Sequence, residues 1–182
     1  MNYNVLNGLE FLYADTVISQ LKRTLDKFPY CETPMQDAFS LGQLKSKLWL
    51  IENLPENLGT VFICAGWYGT LAALMFERAK SKFDKIRSFD VDEKCAKIAE
   101  LFNKKWLIDG WKFKATTKDI FDINYNIHTY DTLKSNGNRD EISETPSTII
   151  NTSCEHIDNF DKWYSMIPEG KLLVLQTNNF FE

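Results

Sequence analysis

The sequence lacks most features that mark a membrane, secreted or metal-binding protein. No apolar run approaches the roughly 18 to 20 residues that a membrane-spanning helix needs, so we expect no membrane association. The N-terminal residues have no basic segment followed by an apolar one, which excludes a standard secretory signal. The four cysteines form no CxxC pair. We therefore expect reduced thiols, a cytoplasmic protein and no metal site.

Positive charge is also scarce. Lysine and arginine number 21 against 25 acidic residues, and the resulting net charge of −4 argues against broad nucleic-acid binding. The lysines between residues 104 and 118 are interpreted as exposed residues at a sheet edge and a helix end. The alternative is that they bind nucleic acid locally. Hydrophobic residues make up 44% of the 182 residues, which is enough for the core of one domain.

What the sequence does contain is an alternation of strand-like and helix-like patterns. Apolar runs predict five strands, at residues 60–65, 86–90, 111–116, 147–152 and 171–177. Helical patterns lie between them, at residues 70–82, 93–104 and 159–166. Such alternation forms parallel sheets with right-handed crossovers. The prediction is a Rossmann-like, doubly wound α/β fold with a mostly parallel sheet of about five strands.

Two further helical patterns, at residues 8–28 and 41–53, precede this alternation, and residues 30–37 between them are predicted to be a loop. We expect one structural domain, in which an N-terminal helical segment, residues 1–58, packs on an α/β core, residues 59–182.

The longest stretch without a strand or helix pattern is residues 121–146. It contains TLKSNGNRDEISETP, which is polar and rich in turn-forming residues. We predict an exposed, mobile loop, and the composition of residues 130–146 indicates no role for it.

The most informative stretch is TVFICAGWYGT, residues 60–70. An apolar run breaks into a turn of small residues and a helical pattern follows, which is typical of nucleotide-binding α/β domains. Small residues let the backbone approach a ligand at the positive end of a helix. Asp90 closes the next predicted strand, 24 residues after Gly66. A carboxylate at about 20 residues' distance suits the hydroxyls of a ribose.

These patterns resemble the class I S-adenosylmethionine-dependent methyltransferases, and more narrowly a group of small methyltransferase-like proteins encoded by bacteriophages. Five segments carry the resemblance, in the order and spacing of the family's first five strands: CAGWYGT (64–70), IRSFDVDEKCAKIAELFN (86–103), WKFKATTKDI (111–120), INTSCEHI (150–157) and IPEGKLLVLQTNN (167–179). A phage-encoded member would work in the host cytoplasm.

The resemblance implies S-adenosylmethionine as the cofactor and S-adenosylhomocysteine as the product. The turn that contains Gly66, Trp67 and Gly69 would pass beneath the methionyl part and the ribose. Asp90 would accept hydrogen bonds from the ribose hydroxyls, and Val91 would pack against the adenine. The bland alternatives are that Asp90 caps the following helix and that Trp67 only covers the core.

Three more cofactor residues follow from the resemblance. Asp119, after the third strand, would take the adenine amino group, with Ile120 beside the ring. Asn151, at the end of the fourth strand, would face the methionyl group and the methyl in transit. The alternative for Asp119 is a turn residue with no ligand.

Glu155 and His156 are the candidate catalytic residues, because they follow the fourth strand directly, where a base could accept a proton from the methyl acceptor. The alternative is that His156 donates to a backbone carbonyl and Glu155 is solvated. The neighbouring Cys154 is not expected to be a nucleophile, since buried cysteine is common. The helix with Gln43 and Lys47 could cover the cofactor pocket, although a solvated helix face is the more ordinary interpretation.

The sequence departs from the family in three ways. Many members carry an acid inside the first strand where this chain has Ile63, so another group must hold the methionyl ammonium or the affinity is lower. Trp67 stands where a small residue is common. The chain stops five residues after the fifth predicted strand, without the family's terminal strand hairpin. The fifth strand would then be an exposed edge, which we expect to be covered by the N-terminal helices, by a partner or by another subunit in a homo-oligomer.

The leading prediction is therefore methyl transfer to an acceptor that the sequence does not reveal. The alternatives are an enzyme that consumes or cleaves the same cofactor, and a binding module without turnover. A dinucleotide-dependent oxidoreductase is disfavoured, because the turn is not G-x-G-x-x-G.

Overall fold

The computed structural model describes residues 3–13, 16–133 and 139–177, which form helices around a central sheet. The helices are α1 (Tyr3–Leu12), α2 (Val17–Lys27), α3 (Glu32–Ala38), α4 (Leu41–Asn53), α5 (Thr70–Arg78), α6 (Glu93–Phe102), α7 (Lys104–Ile108) and α8 (Phe160–Ser165). The strands are β1 (Thr60–Cys64), β2 (Lys85–Asp90), β3 (Phe113–Thr117), β4 (His128–Leu133), β5 (Arg139–Glu144), β6 (Thr148–Asn151) and β7 (Leu172–Leu175).

Five strands form one parallel sheet in the order β3-β2-β1-β6-β7. The chain enters the sheet at β1 in the middle, runs out to β3, and then continues on the other side at β6. The strand order therefore reverses between β1 and β6, and ligands of such sheets bind at this reversal, outside the carboxyl ends of the strands. The predicted fold class is confirmed.

Both faces of the sheet are buried, which explains why β1 and β6 are mainly apolar. On one face Val61, Ile63 and Ile86 pack with the apolar side of α5. On the other face Phe62 and Phe89 pack in a second cluster that includes the fully buried Trp163 of α8.

The N-terminal part differs from the prediction in two places. The single helix expected at residues 8–28 is wrong: α1 ends at Leu12, and the Thr16 hydroxyl caps α2 by accepting from the Ile18 amide at 3.3 Å. The predicted loop at residues 30–37 is also wrong, because a 3-10 helix at Pro29–Cys31 leads into α3.

The helical character of α3 follows from its buried side. Cys31, Met35 and Ala38 recur at helical spacing and all three are fully buried. Pro34 lies in the first turn of α3, where its missing amide hydrogen is tolerated. Through Met35 and the apolar residues of α1 and α2, the N-terminal helices pack against α6.

The loop predicted at residues 121–146 is wrong as well. β4 and β5 pair as an antiparallel hairpin on the sheet face near β2, and residues 134–138 of the predicted loop lie outside the described residues. Polar composition was misleading because the buried side of the hairpin is itself polar. Arg87 of β2 donates to Glu144 of β5 at 2.7 Å, and the Tyr130 hydroxyl donates to the same carboxylate at 2.7 Å.

None of the helices in the described ranges is long and apolar enough to cross a membrane.

Candidate functional site

The turn between β1 and α5 is held in an unusual backbone conformation. Ala65, Trp67 and Gly69 have positive φ angles of 50°, 48° and 72°. Such angles favour glycine, and non-glycine residues adopt them chiefly where the surroundings enforce them. The Gly66 amide donates to the Phe89 carbonyl at 2.9 Å, so the turn is anchored to β2.

Gly66 is required by close packing rather than by its φ angle. A Cβ atom at this position would lie 2.0 Å from Oγ of Ser88 on β2 and 3.3 Å from Cγ2 of Ile63. The register explains this contact, because Ser88 and Ile63 are directly paired across β1 and β2. The small residue thus lets the turn lie on the ends of two strands.

Asp90 connects this turn to the next one. Its Oδ2 accepts from the Trp67 amide at 2.9 Å and its Oδ1 accepts from the Asp92 amide at 3.0 Å. The cap of α6 is a different residue, because Asp92 accepts from the Lys94 amide at 2.8 Å. Each Asp90 oxygen keeps a lone pair for a further donor, so its carboxylate fixes the turn and can still bind a hydroxyl.

The side chain of Asn103 also holds the β1–α5 turn in place. Nδ2 of the buried Asn103 donates to the Gly69 carbonyl at 3.1 Å and to the Ala99 carbonyl at 3.0 Å. This amide joins the end of α6 to the start of α5. Sequence patterns gave no sign of it, since an asparagine after a helix is usually read as a simple helix end.

A cavity of about 390 Å³ lies at the carboxyl ends of β1, β2 and β6, at the reversal of strand order. Its volume is in the range of small-molecule sites. The β1–α5 turn and Asp90 line one side, and residues 152–156 after β6 line another. Helices α3 and α4 cover it, and Nε2 of Gln176, after β7, donates to the Ser46 carbonyl of α4 at 3.5 Å.

The cavity brings together five of the ten residues predicted for the site. These are Gly66, Trp67, Asp90, Glu155 and His156. Glu155 and His156 belong to a 3-10 helix, Cys154–His156, and their Oε1 and Nε2 atoms lie 3.8 Å apart. The His156 side chain is 76% exposed and that of Glu155 is 24% exposed, so Glu155 is the better shielded of the pair.

The other five predicted residues do not line the cavity: Gly69, Val91, Asp119, Ile120 and Asn151. Val91 is exposed next to Asp90, and the Asp119 carboxylate accepts from the Phe121 amide at 3.0 Å. Ile120 is buried in the core. An adenine at Val91 and Asp119 would therefore lie outside the cavity.

Asn151 is fully buried at the end of β6. Its Oδ1 accepts from the Ser153 amide at 2.9 Å, which bends the chain into the segment that lines the cavity. Its Nδ2 has no hydrogen-bond partner among the described residues. The residues in direct contact with the cavity at this place are Thr152 and Ser153.

Several cavity residues were not singled out as cofactor ligands from the sequence. Asp37 of α3 and Gln43 and Lys47 of α4 line the cavity, so this part of α4 does cover it. Lys47 donates to Oε1 of Gln43 one turn earlier. Burial lowers the pKa of the Lys47 ammonium, and the charge of Asp37 partly opposes this shift. The helical spacing of Gln43 and Lys47 was the available signal.

The cysteine thiols near the site are not activated. Burial raises the pKa of Cys64 to about 12, and it also raises the pKa of Cys154. A thiol with a raised pKa is mostly protonated at neutral pH, and the thiolate is the nucleophilic form. Within the described residues, no group of three His, Cys, Asp or Glu side chains could hold a metal ion.

Solved structures that align with this chain include S-adenosylmethionine-dependent methyltransferases. The geranyl diphosphate C-methyltransferase of Streptomyces coelicolor, solved with S-adenosyl-L-homocysteine, aligns with a TM-score of 0.53 at 11% identity over 74% of this chain and 44% of its own. A candidate S-adenosyl-L-methionine-dependent methyltransferase of Methanococcus maripaludis aligns with a TM-score of 0.51 at 14% identity over 73% of this chain and 54% of its own.

The YcgJ protein of Bacillus subtilis gives a TM-score of 0.51 at 12% identity, over 72% of this chain and 50% of its own. The chain thus spans about half the length of the solved structures it matches. No family model matches the sequence, and no curated protein matches it either. At these identities the similarity shows the fold alone, which is the class I methyltransferase fold.

Proposed function

We propose that this chain binds S-adenosylmethionine in the cavity and transfers its methyl group to an acceptor. The observation that carries the proposal is the position of Asp90. Its carboxylate lies at the end of β2, lines the cavity, and is held against the β1–α5 turn by the Trp67 amide. A nucleoside placed across the strand reversal would meet this carboxylate with its ribose hydroxyls.

The cavity fits such a ligand in three respects. Its volume of about 390 Å³ is ample for the ribose and methionyl parts. Asp90 retains unused lone pairs after accepting two backbone amides. The Thr70 hydroxyl, at the start of α5, lines the cavity without a hydrogen-bond partner in the described chain.

The bound cofactor would supply a methyl group on a sulfonium, which needs little activation. The protein then has to orient the acceptor and exclude water. We assign orientation to the turn of Gly66 and Trp67 and to the segment after β6. Glu155 and His156 would accept the proton that the acceptor releases, directly or in sequence, because their polar atoms lie 3.8 Å apart at the cavity.

The finer assignments belong to the same proposal. The adenine would lie outside the cavity, next to Val91, Asp119 and the largely buried Ile120, and Gly69 and Asn151 would shape the turn and the β6 end that contact the cofactor. The protein would resemble phage-encoded members, act in the cytoplasm (the host's, if phage-encoded), and form homo-oligomers through the β7 edge. We expect it to act without nucleic acid.

Calorimetric titration with S-adenosylmethionine tests the binding step. We expect micromolar binding by the wild-type protein and a loss of about tenfold or more in Asp90→Asn, which removes a charged hydrogen-bond acceptor. Asp92→Asn is the matched control, because Asp92 caps α6 and does not line the cavity. Absence of binding by the wild-type protein would contradict the proposal.

Product analysis then separates methyl transfer from its alternatives. Incubation with S-adenosylmethionine labelled in the methyl group, together with candidate acceptors, should give S-adenosylhomocysteine and a labelled acceptor. Formation of 5′-methylthioadenosine would instead identify an enzyme that cleaves the cofactor. Binding without any product from a broad acceptor set would favour a binding module.

A further inference from the structure

The charges that face the cavity from the N-terminal helices are not explained by nucleoside binding. Lys47 of α4 and Asp37 of α3 both line the cavity, and they carry opposite charges. The strand beneath offers no charge there, since Ile63 is the β1 residue that reaches the cavity. A ligand that fills the cavity therefore meets a cation and an anion supplied by helices outside the sheet.

Lys47 is positioned rather than free in solvent. Its side chain is half-buried, and Oε1 of Gln43 is its one hydrogen-bond partner among the described residues. An ammonium has three donors, so two remain for a ligand. Burial lowers the pKa of Lys47, and the nearby charge of Asp37 opposes only part of this shift. An anion beside it would relieve that cost.

A second, independent feature of the same cavity points to an anion. α5 begins at Thr70 directly after Gly69, which provides no side-chain cap, so the first amides of this nine-residue helix are left for another acceptor. Thr70 is 3% exposed and lines the cavity, and its hydroxyl has no partner in the described chain. The positive end of a helix and an unpaired hydroxyl together suit a carboxylate.

We propose that Lys47 with the start of α5 binds the α-carboxylate of the cofactor, and that Asp37 attracts its α-ammonium, so that the N-terminal helices select ligands with an intact amino-acid end. This inference rests on the proposed function, because it assumes that the nucleoside end lies at Asp90. Helices α3 and α4 would thus recognise the amino-acid end of the cofactor, which β1 cannot do because Ile63 carries no charge. Ligands that share the nucleoside but lack the amino acid would bind more weakly.

The test compares two stable ligands that differ in this end. S-adenosylhomocysteine carries the carboxylate and the ammonium, and 5′-methylthioadenosine carries neither. In calorimetric titrations of the full chain, we expect the wild-type protein to bind S-adenosylhomocysteine at least tenfold more tightly. Lys47→Met should weaken S-adenosylhomocysteine about 10- to 100-fold, the usual effect of losing a hydrogen bond to a charged group, and leave 5′-methylthioadenosine unchanged.

Lys45→Met is the matched control, because Lys45 is on the same helix, is exposed and does not line the cavity. Asp37→Asn should act in the same direction as Lys47→Met, and Lys47→Arg should restore most of the affinity. The inference is overturned if Lys47→Met weakens both ligands equally or neither. If the wild-type protein binds neither ligand, the proposed function fails as well, which is a distinguishable result. Thermal melting of each variant checks that it is folded.

Discussion

Replacing Gly66 by alanine tests the packing on which the candidate site depends. The new Cβ would lie 2.0 Å from Oγ of Ser88, well inside contact distance, and 3.3 Å from Cγ2 of Ile63. Ser88 cannot retreat, because it is 3% exposed and its strand is paired on both sides, with β1 and with β3. The substitution therefore overpacks a rigid place.

The magnitude follows from two opposing effects. Overpacking of this kind costs about 1 to 3 kcal/mol. Alanine also restricts the unfolded chain, which returns roughly 0.4 to 1 kcal/mol. We expect a net loss of about 1 to 2 kcal/mol in the free energy of unfolding, near the middle of the range that these two figures allow, which corresponds to a fall in Tm of about 2 to 8 °C for a chain of this size.

Urea unfolding of the wild-type protein, Gly66→Ala, Ser88→Ala, their double variant and a control variant measures the effect and its cause. Gly66→Ala should be destabilised, and adding Ser88→Ala should recover about 1 kcal/mol relative to the sum of the two single changes, because the closest atom is removed. Gly42→Ala is the control, since a Cβ there meets nothing within 4 Å on α4, and it should be neutral or slightly stabilising. Wild-type stability of Gly66→Ala, or a strictly additive double variant, would refute the argument.

Two further predictions concern the hairpin. Glu144→Ala should lower the free energy of unfolding by about 3 to 5 kcal/mol, because it leaves Arg87 buried without its anion. Replacing Arg87 by methionine in the same chain should recover much of this loss. Urea unfolding measures both effects, and a double variant that is no more stable than Glu144→Ala would contradict the prediction. Burial lowers the pKa of His128, with a smaller contribution from Lys118, so the unfolded chain binds a proton more readily and stability should decline as pH falls below about 6.5. Between pH 7 and 5.5 the Tm of His128→Phe should fall less than the Tm of the wild-type protein. An equal fall in both proteins would contradict the assignment of this pH dependence to His128.

The sheet could be predicted because its signal is local. The strands of the sheet are short strand-like segments between helical patterns, and the position of Asp90 at the end of β2 is visible as spacing alone. The prediction of a loop at β4 and β5 was wrong because the buried residues there are polar rather than hydrophobic. Arg87 and Glu144 are buried as a pair, so the segment of β4 and β5 has the composition of a loop although it covers the sheet.

The candidate site could be predicted only where it is built from strand ends. Gly66 and Glu155 follow strands and were expected at one edge of the sheet. Lys47 and Asp37 come from helices that precede the sheet, and their approach to the cavity depends on how α3 and α4 pack, which no local pattern specifies. Asn103 was missed for the same reason, because its contact with Gly69 joins residues far apart in the chain.

A crystal structure of the protein grown with S-adenosylhomocysteine tests most directly whether the cavity at the reversal of strand order holds the cofactor. We expect the ligand in this cavity, with its ribose hydroxyls within hydrogen-bond distance of the Asp90 carboxylate and its amino-acid end between Lys47 and Asp37. An empty cavity at saturating ligand, or a ligand bound elsewhere on the chain, would contradict it.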